Sequence, residues 1–289
     1  MNEPFFTGVC TALVTPFFEN KINYPMVQQL LRRQVSAGIE AVVLCGTTGE
    51  APTLSDCEKL ELFSKAKEYV KDDCMIIAGT GSNSTEHAVV LSKAAEDAGA
   101  DALLVVSPYY NKATPEGLYR HYLSIAHAVS IPMILYNVPS RTGLDIPISV
   151  YKRLSTVPNI VGVKEASTDM RKISKILAQC YPSFHVWSGN DELAVPVMAL
   201  GGKGVISVTS NVCPEEVKHM CDLALMGDYD TAAFLQQQLA PLNESLFCEI
   251  NPIPVKAAMS IIGYDCGSCR MPLTELSQQN YSHLKSLLS

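Results

Sequence analysis

The amino-acid sequence predicts an α/β protein: a (β/α)8 (TIM) barrel followed by a C-terminal three-helix extension. Three observations predict it. Eight short apolar, β-rich runs follow one another along the chain. Segments with helical spacing separate them, and strand starts recur about every 20–35 residues, the size of a βα unit. After Gly227 the strand-like runs stop and only helical spacing remains. Strict alternation of apolar strands and helices implies parallel pairing, with both sheet faces covered.

In chain order the runs are GVCTALV (8–14), SAGIEAVVL (36–44), CMIIAGT (74–80), DAGADALLV (97–105), IPMILY (131–136), NIVGVK (159–164), FHVWSG (184–189) and ALGGKGVIS (199–207). Three of them share a phrase, a helix end followed by glycine and then a β-rich stretch, as expected where glycine takes the left-handed position just past a helix. Met26, Leu30, Leu31 and Val35 fall on one helical face after the cap-like Asn23 and Pro25. Ser84 precedes a second helix, with Val89, Leu91 and Ala95 on its apolar side. The barrel is expected to occupy residues 1–226 and the extension 227–289, with helices at 228–248, 252–262 and 274–288. A doubly wound sheet is the runner-up, but no G-x-G-x-x-G follows the first strand.

The 289 residues suit one such barrel with an appendage. Hydrophobic residues make up 47% and charged residues 18%, a globular composition. The net charge of −7 argues against a nucleic-acid partner, since no basic excess exists to neutralise phosphates. It leaves room for an anionic small substrate, which needs only one or two local cations. The start of the chain shows no basic, apolar leader, and no run approaches the roughly 18 apolar residues of a membrane helix. A cytoplasmic location is expected. The ten cysteines are scattered, several in apolar settings (Cys10, Cys45, Cys74), and read as buried thiols. Cys266 and Cys269 form the one C-x-x-C; without a thioredoxin-like context or a second ligand pair it reads as a loop.

In a barrel of this kind the C-terminal strand ends build the active site. Those positions carry GTTGE (46–50), SPYYN (107–111), LYNVPSRTG (135–143), VKEAS (163–167), SGND (188–191) and VISVTSN (205–211). They hold Lys, Arg, Tyr and Thr but no His, so no metal is expected. Lys164 ends an apolar strand, where an amine is out of place unless paired or used. A dry barrel mouth disfavours the cation, which would free the amine to attack a carbonyl and form a Schiff base. The competing reading is an ion pair with a carboxylate such as Glu165. Tyr136 is either a core aromatic or a proton shuttle. Thr47 and Thr48, between Gly46 and Gly49, either cap the helix near Ser55 or aim hydroxyls and N–H groups at a carboxylate. Arg141 is either a surface cation or a fork for a substrate carboxylate. Gathered at one face, these residues favour a carbonyl-carbon enzyme acting on carboxylates.

GTTGE, SPYYN, LYNVPSRTG, VGVKEAS and GVISVTSN, in this order and with NPIPVK (251–256) in the C-terminal helices, resemble the dihydrodipicolinate synthase family. That family belongs to the superfamily of pyruvate-dependent class I aldolases that includes N-acetylneuraminate lyase. The resemblance spans essentially the whole chain. It implies a lyase that condenses pyruvate with L-aspartate 4-semialdehyde through a Schiff base and then cyclises the product, opening lysine synthesis via diaminopimelate. Lys164 would form the imine, so no cofactor beyond this covalent link is implied. Tyr136 would relay protons, and Thr47 would link it to Tyr110, reaching in from a neighbouring subunit of a homotetramer, a dimer of dimers. Thr48 would bind the pyruvate carboxylate, Gly189 and Ile206 would make backbone contacts around pyruvate, and Arg141 would receive the carboxylate of the second substrate. A neuraminate or keto-deoxy-sugar-acid lyase is the nearest rival, and SRTG at Arg141 is not expected there. The family's interfacial lysine-binding cleft is matched by Asn83 and Tyr109. Lys59 and His87 stand where lysine-sensitive members usually place His and Glu. An added cation and a missing fixed anion predict weak or absent inhibition by L-lysine.

Overall fold

The computed structural model describes residues 3–289. Eight parallel strands close into a barrel: β1 (Gly8–Ala12), β2 (Ala41–Leu44), β3 (Met75–Gly79), β4 (Ala102–Val106), β5 (Met133–Asn137), β6 (Ile160–Glu165), β7 (His185–Ser188) and β8 (Gly204–Ser207). Each strand pairs with its neighbours in sequence, and β8 returns to β1 with Val9 opposite Val205. Closure brings the β1 and β8 backbones together at Gly204. Its φ is +146°, and a Cβ there would lie 1.8 Å from the Gly8 carbonyl oxygen, so only glycine fits.

A helix follows every strand: α1 (Tyr24–Ser36), α2 (Asp56–Val70), α3 (Thr85–Asp97), α4 (Pro115–Ala126), α5 (Ile148–Leu154), α6 (Met170–Gln179), α7 (Ala194–Ala199) and α8 (Pro214–Met226). Their starts carry local signals. Asn23, Ser84 and Thr114 each accept a hydrogen bond from the first helical turn, and Ser55 with Glu58 forms a complete capping box.

The core has two layers because strand side chains alternate between faces. Cys10, Val43, Leu104, Ile134, Trp187 and Ile206 fill the barrel interior. Phe6 stacks on Trp187 with ring centroids 4.8 Å apart, packing the inner core next to β1. The opposite faces of the strands pack against the helices. No helix of the described residues is long and apolar enough to cross a membrane.

Three further helices follow: α9 (Tyr229–Leu246), α10 (Ile253–Ile261) and α11 (Gln278–Leu288). The last begins four residues later than the spacing suggests. Ser277 is its cap, its side chain accepting from Asn280 N, while its own N–H donates to Glu249. A two-residue hairpin, Phe17–Phe18 with Lys21–Ile22, is an addition that apolar periodicity does not reveal.

Candidate active site

Tyr136 on β5 and Lys164 on β6 are directly opposed in register, near the C-terminal strand ends. Both face the barrel interior. The Lys164 Nζ lies 4.6 Å from the centre of the Tyr136 ring. Lys164 is 6% exposed and Tyr136 7%, so the pair is dry but reachable. Among the described residues Lys164 has no carboxylate within ion-pair distance and no hydrogen bond to its amine.

Glu165 is not its partner. One residue further along β6 it points to the opposite face, where Asn137 Nδ2 donates to it at 2.8 Å, Tyr151 OH at 3.1 Å and Ser167 N at 2.9 Å. Its ionic partner is Lys172 on α6, at 3.7 Å, which also bonds Asp145. Asn137 and Glu165 are themselves opposed in register. An outward hydrogen-bonded pair thus pins the two strands one step beyond the inward amine–phenol pair.

The turn after β2 carries the threonines. Ser55 and Glu58 cap α2 without help, so capping is not their role. The Thr48 hydroxyl, 2% exposed, accepts from Asn251 Nδ2 at 3.0 Å. The Thr47 hydroxyl has no partner among the described side chains. Gly49 leaves little room for a side chain, since a Cβ would press on the Cys45 N at 3.1 Å and the Leu13 carbonyl oxygen at 3.2 Å.

Arg141 sits on a helical turn, Pro139–Thr142, after β5, and donates from Nη2 to the Asn251 carbonyl at 3.3 Å. Gly189 directly follows β7, and its N–H is committed to the Glu165 carbonyl at 2.7 Å. A Cβ at Gly189 would collide with Ala166 at 2.6 Å. Ile206 lies in β8, buried beside Cys10 in register.

Asp191, two residues past Gly189, escaped the motif reading although SGND contains it. Its carboxylate accepts from Ser207 Oγ, from Val208 N at 2.9 Å and from Thr209 N at 3.3 Å. Burial pushes this acid up; those hydrogen bonds and the nearby charge of Lys164 pull it back. Burial also pushes the Cys10 thiol well up, so that cysteine is an inert neighbour of the site.

A cavity of about 670 Å³ opens over this mouth, lined by Thr47, Tyr136, Arg141 and Asn251 and continuing outward to Asp56, Lys59, His87 and Tyr109. In that outer arm Asp56 is shared: His87 Nε2 lies 2.7 Å and Lys59 Nζ 3.3 Å from its oxygens. The hydrogen bond with His87 leads in holding the Asp56 carboxyl below its ordinary value. Asn83 does not line this arm; its backbone carbonyl accepts from Asn111 Nδ2 at 2.9 Å.

Tyr110 stands apart from the other residues. It is 92% exposed, with φ +69°, a left-handed conformation costly for an aromatic residue. The cavity brings together Thr47, Tyr136 and Arg141, with Lys164 against the Tyr136 ring and Thr48 bonded to Asn251 at the cavity wall; Gly189, Ile206 and Tyr110 do not line it.

Fold and site together define a class: a (β/α)8-barrel protein presenting one unpaired amine beside a phenol at the mouth of the barrel. Comparison with known proteins narrows it. The model of the dihydrodipicolinate synthetase family matches residues 5–289. The 4-hydroxy-tetrahydrodipicolinate synthase of Acetivibrio thermocellus is 46% identical over 288 residues, covering 100% of this chain and 98% of the relative. The crystal structure of dihydrodipicolinate synthase from Aquifex aeolicus superposes with a TM-score of 0.97 at 44% identity, over 98% of this chain and 97% of that one. The chloride-inhibited enzyme of Acinetobacter baumannii, solved with pyruvate, gives 0.95 at 42% identity, over 98% of both chains. The chain belongs to the dihydrodipicolinate synthetase family.

Proposed function

We propose that the chain catalyses the 4-hydroxy-tetrahydrodipicolinate synthase reaction, joining pyruvate to L-aspartate 4-semialdehyde. The observation that carries the reading is the Lys164 amine, buried without an ionic partner and 4.6 Å from the Tyr136 ring. The full-length relatives that carry this activity support it.

The steps follow from the chemistry of the groups. The Lys164 amine adds to the pyruvate ketone, and loss of water leaves an imine. Once protonated, the imine is an electron sink, so a methyl proton departs and an enamine forms. The enamine carbon attacks the aldehyde of the second substrate, whose oxygen takes up a proton. The substrate's amine then adds to the imine carbon and displaces Lys164. In this reading Tyr136 moves protons at these carbons, with Thr47 and a neighbour's Tyr110 completing the relay. Thr48 binds the pyruvate carboxylate, the Gly189 and Ile206 backbones flank the bound pyruvate, and Arg141 receives the carboxylate of the semialdehyde. The iminium itself supplies the electron sink, so the route draws on no metal or organic cofactor.

The reading includes a homotetramer built from tight dimers that exchange Tyr110, residence in the cytoplasm where pyruvate is at hand, and a place at the entry to lysine synthesis through diaminopimelate. A neuraminate or keto-deoxy-sugar-acid lyase is disfavoured by Arg141, a cation suited to a short acceptor's carboxylate rather than to a chain of hydroxyls. An assay of pyruvate with aspartate semialdehyde, run beside one with sugar aldehydes, decides between them. Turnover with the semialdehyde is expected; turnover only with a sugar aldehyde would overturn the choice.

A further inference from the structure

The C-terminal extension reaches back into the site at the GTTGE turn. Glu50 closes that turn and is fully buried. Lys256 of α10, also buried, donates from Nζ to Glu50 Oε1 at 2.9 Å and to the Ser268 carbonyl at 3.0 Å. The Arg270 N–H donates to the other carboxylate oxygen at 2.8 Å. Asn251, just before α10, donates to the Thr48 hydroxyl at 3.0 Å. One segment therefore grips the turn at both Thr48 and Glu50. The turn needs holding: Cys45 and Glu50, which bracket it, have φ of +54° and +57°, a region that residues with side chains avoid. The barrel holds the same turn at Gly49, whose carbonyl accepts from Thr15 Oγ1 at 2.7 Å, but among the described residues no barrel side chain bonds the Glu50 carboxylate, which depends on the extension.

We propose that Glu50 and Lys256 are positioning residues, a buried ion pair through which the extension keeps the Thr47–Thr48 turn in its pyruvate-binding form. Both partners are out of water, so the pair contributes geometry more than net stability. Loss of the pair relaxes the strained turn and misplaces the Thr48 hydroxyl, while Lys164 and Tyr136, held by β5 and β6, stay in place. The inference rests on the reading of this turn as the carboxylate-binding element.

The test uses the full chain and pyruvate with borohydride, scoring covalent capture against pyruvate concentration. Two principal variants are compared with the wild type, and a third, Lys256→Arg, grades the effect. Glu50→Gln with Lys256→Met removes both charges, so neither is left buried alone. Glu50→Asp keeps the charge and shortens the reach by one methylene. In each, half-saturation by pyruvate is expected to rise at least about tenfold, as expected for loss of one charge-assisted hydrogen-bond site, with the extent of capture at saturating pyruvate retained. Lys256→Arg, which keeps a cation at the site, should fall between wild type and Glu50→Asp. Either folded variant binding pyruvate within about twofold of wild type would overturn the inference, judged against the threefold or greater scale of a lost hydrogen bond. Absence of capture in the wild type itself would count against the Schiff-base reading instead, so the two failures are distinct.

Discussion

Lys164 is legible in the sequence as an anomaly, an amine closing an apolar strand, but its partner is not. The sequence places Glu165 beside it, whereas strand alternation sends the two side chains to opposite faces and gives Glu165 to Lys172, Tyr151 and Asn137. The same alternation puts Tyr136 next to Lys164, since parallel strands in register present opposed residues on one face. Conversely, Glu50–Lys256 joins residues far apart in sequence, and Asp191 meets the loop after β8; no local pattern announces either contact. At this scale the account predicts that Tyr136→Phe keeps the ring packed beside Lys164 and loses the relay. Its kcat should fall about 10²–10⁴-fold, the usual worth of a general acid–base group, with unfolding temperature nearly unchanged. Steady-state kinetics beside thermal melts check this, and an unchanged kcat would remove Tyr136 from the mechanism.

At the scale of elements, the eight strands were readable because parallel strands buried on both faces appear as continuous apolar runs. The helices are readable from caps and spacing, except at 274–277, where the spacing starts the last helix ahead of its Ser277 cap. The hairpin at Phe17 has too few residues to show a period. The joint between α2 and the extension could not be read, although it is strongly electrostatic. Arg270 reaches Glu58 at 2.6 Å and the Thr53 carbonyl at 2.9 Å, and its hydrogen bond holds the Glu58 carboxyl down at about 2, against 4.5 for an ordinary glutamate. A depressed folded-state value means that the stabilisation is complete above pH 4.5 and is lost as pH falls towards 2. Glu58→Gln should therefore destabilise the protein at pH 7, on the order of 1–2 kcal/mol once partial exposure is allowed for. The gap to wild type should narrow steadily below pH 4.5, as followed by denaturant unfolding at stepped pH; a gap independent of pH would contradict the assignment.

The whole molecule raises questions of assembly and control. The proposed exchange between subunits turns on Tyr110, which is exposed on strained backbone. Mixing inactive Lys164→Ala chains with impaired Tyr110→Ala chains, after dissociation and reassembly, should restore measurable activity, because some sites then draw a good lysine and a good tyrosine from different chains. No recovery would argue that each chain works alone. In the outer arm of the cavity Asp56 is engaged by both Lys59 and His87. Among the described residues an incoming ammonium therefore meets an anion already paired with two partners, so L-lysine should inhibit weakly or not at all; half-inhibition at sub-millimolar L-lysine would contradict this. The proposed reaction depends on covalent chemistry at one amine. The most direct measurement is borohydride reduction of the protein with pyruvate, followed by peptide mass spectrometry. The account predicts a single reduced pyruvate adduct on Lys164, absent from Lys164→Ala, whose turnover is nearly abolished. An unmodified Lys164, or an adduct on another lysine, would contradict it.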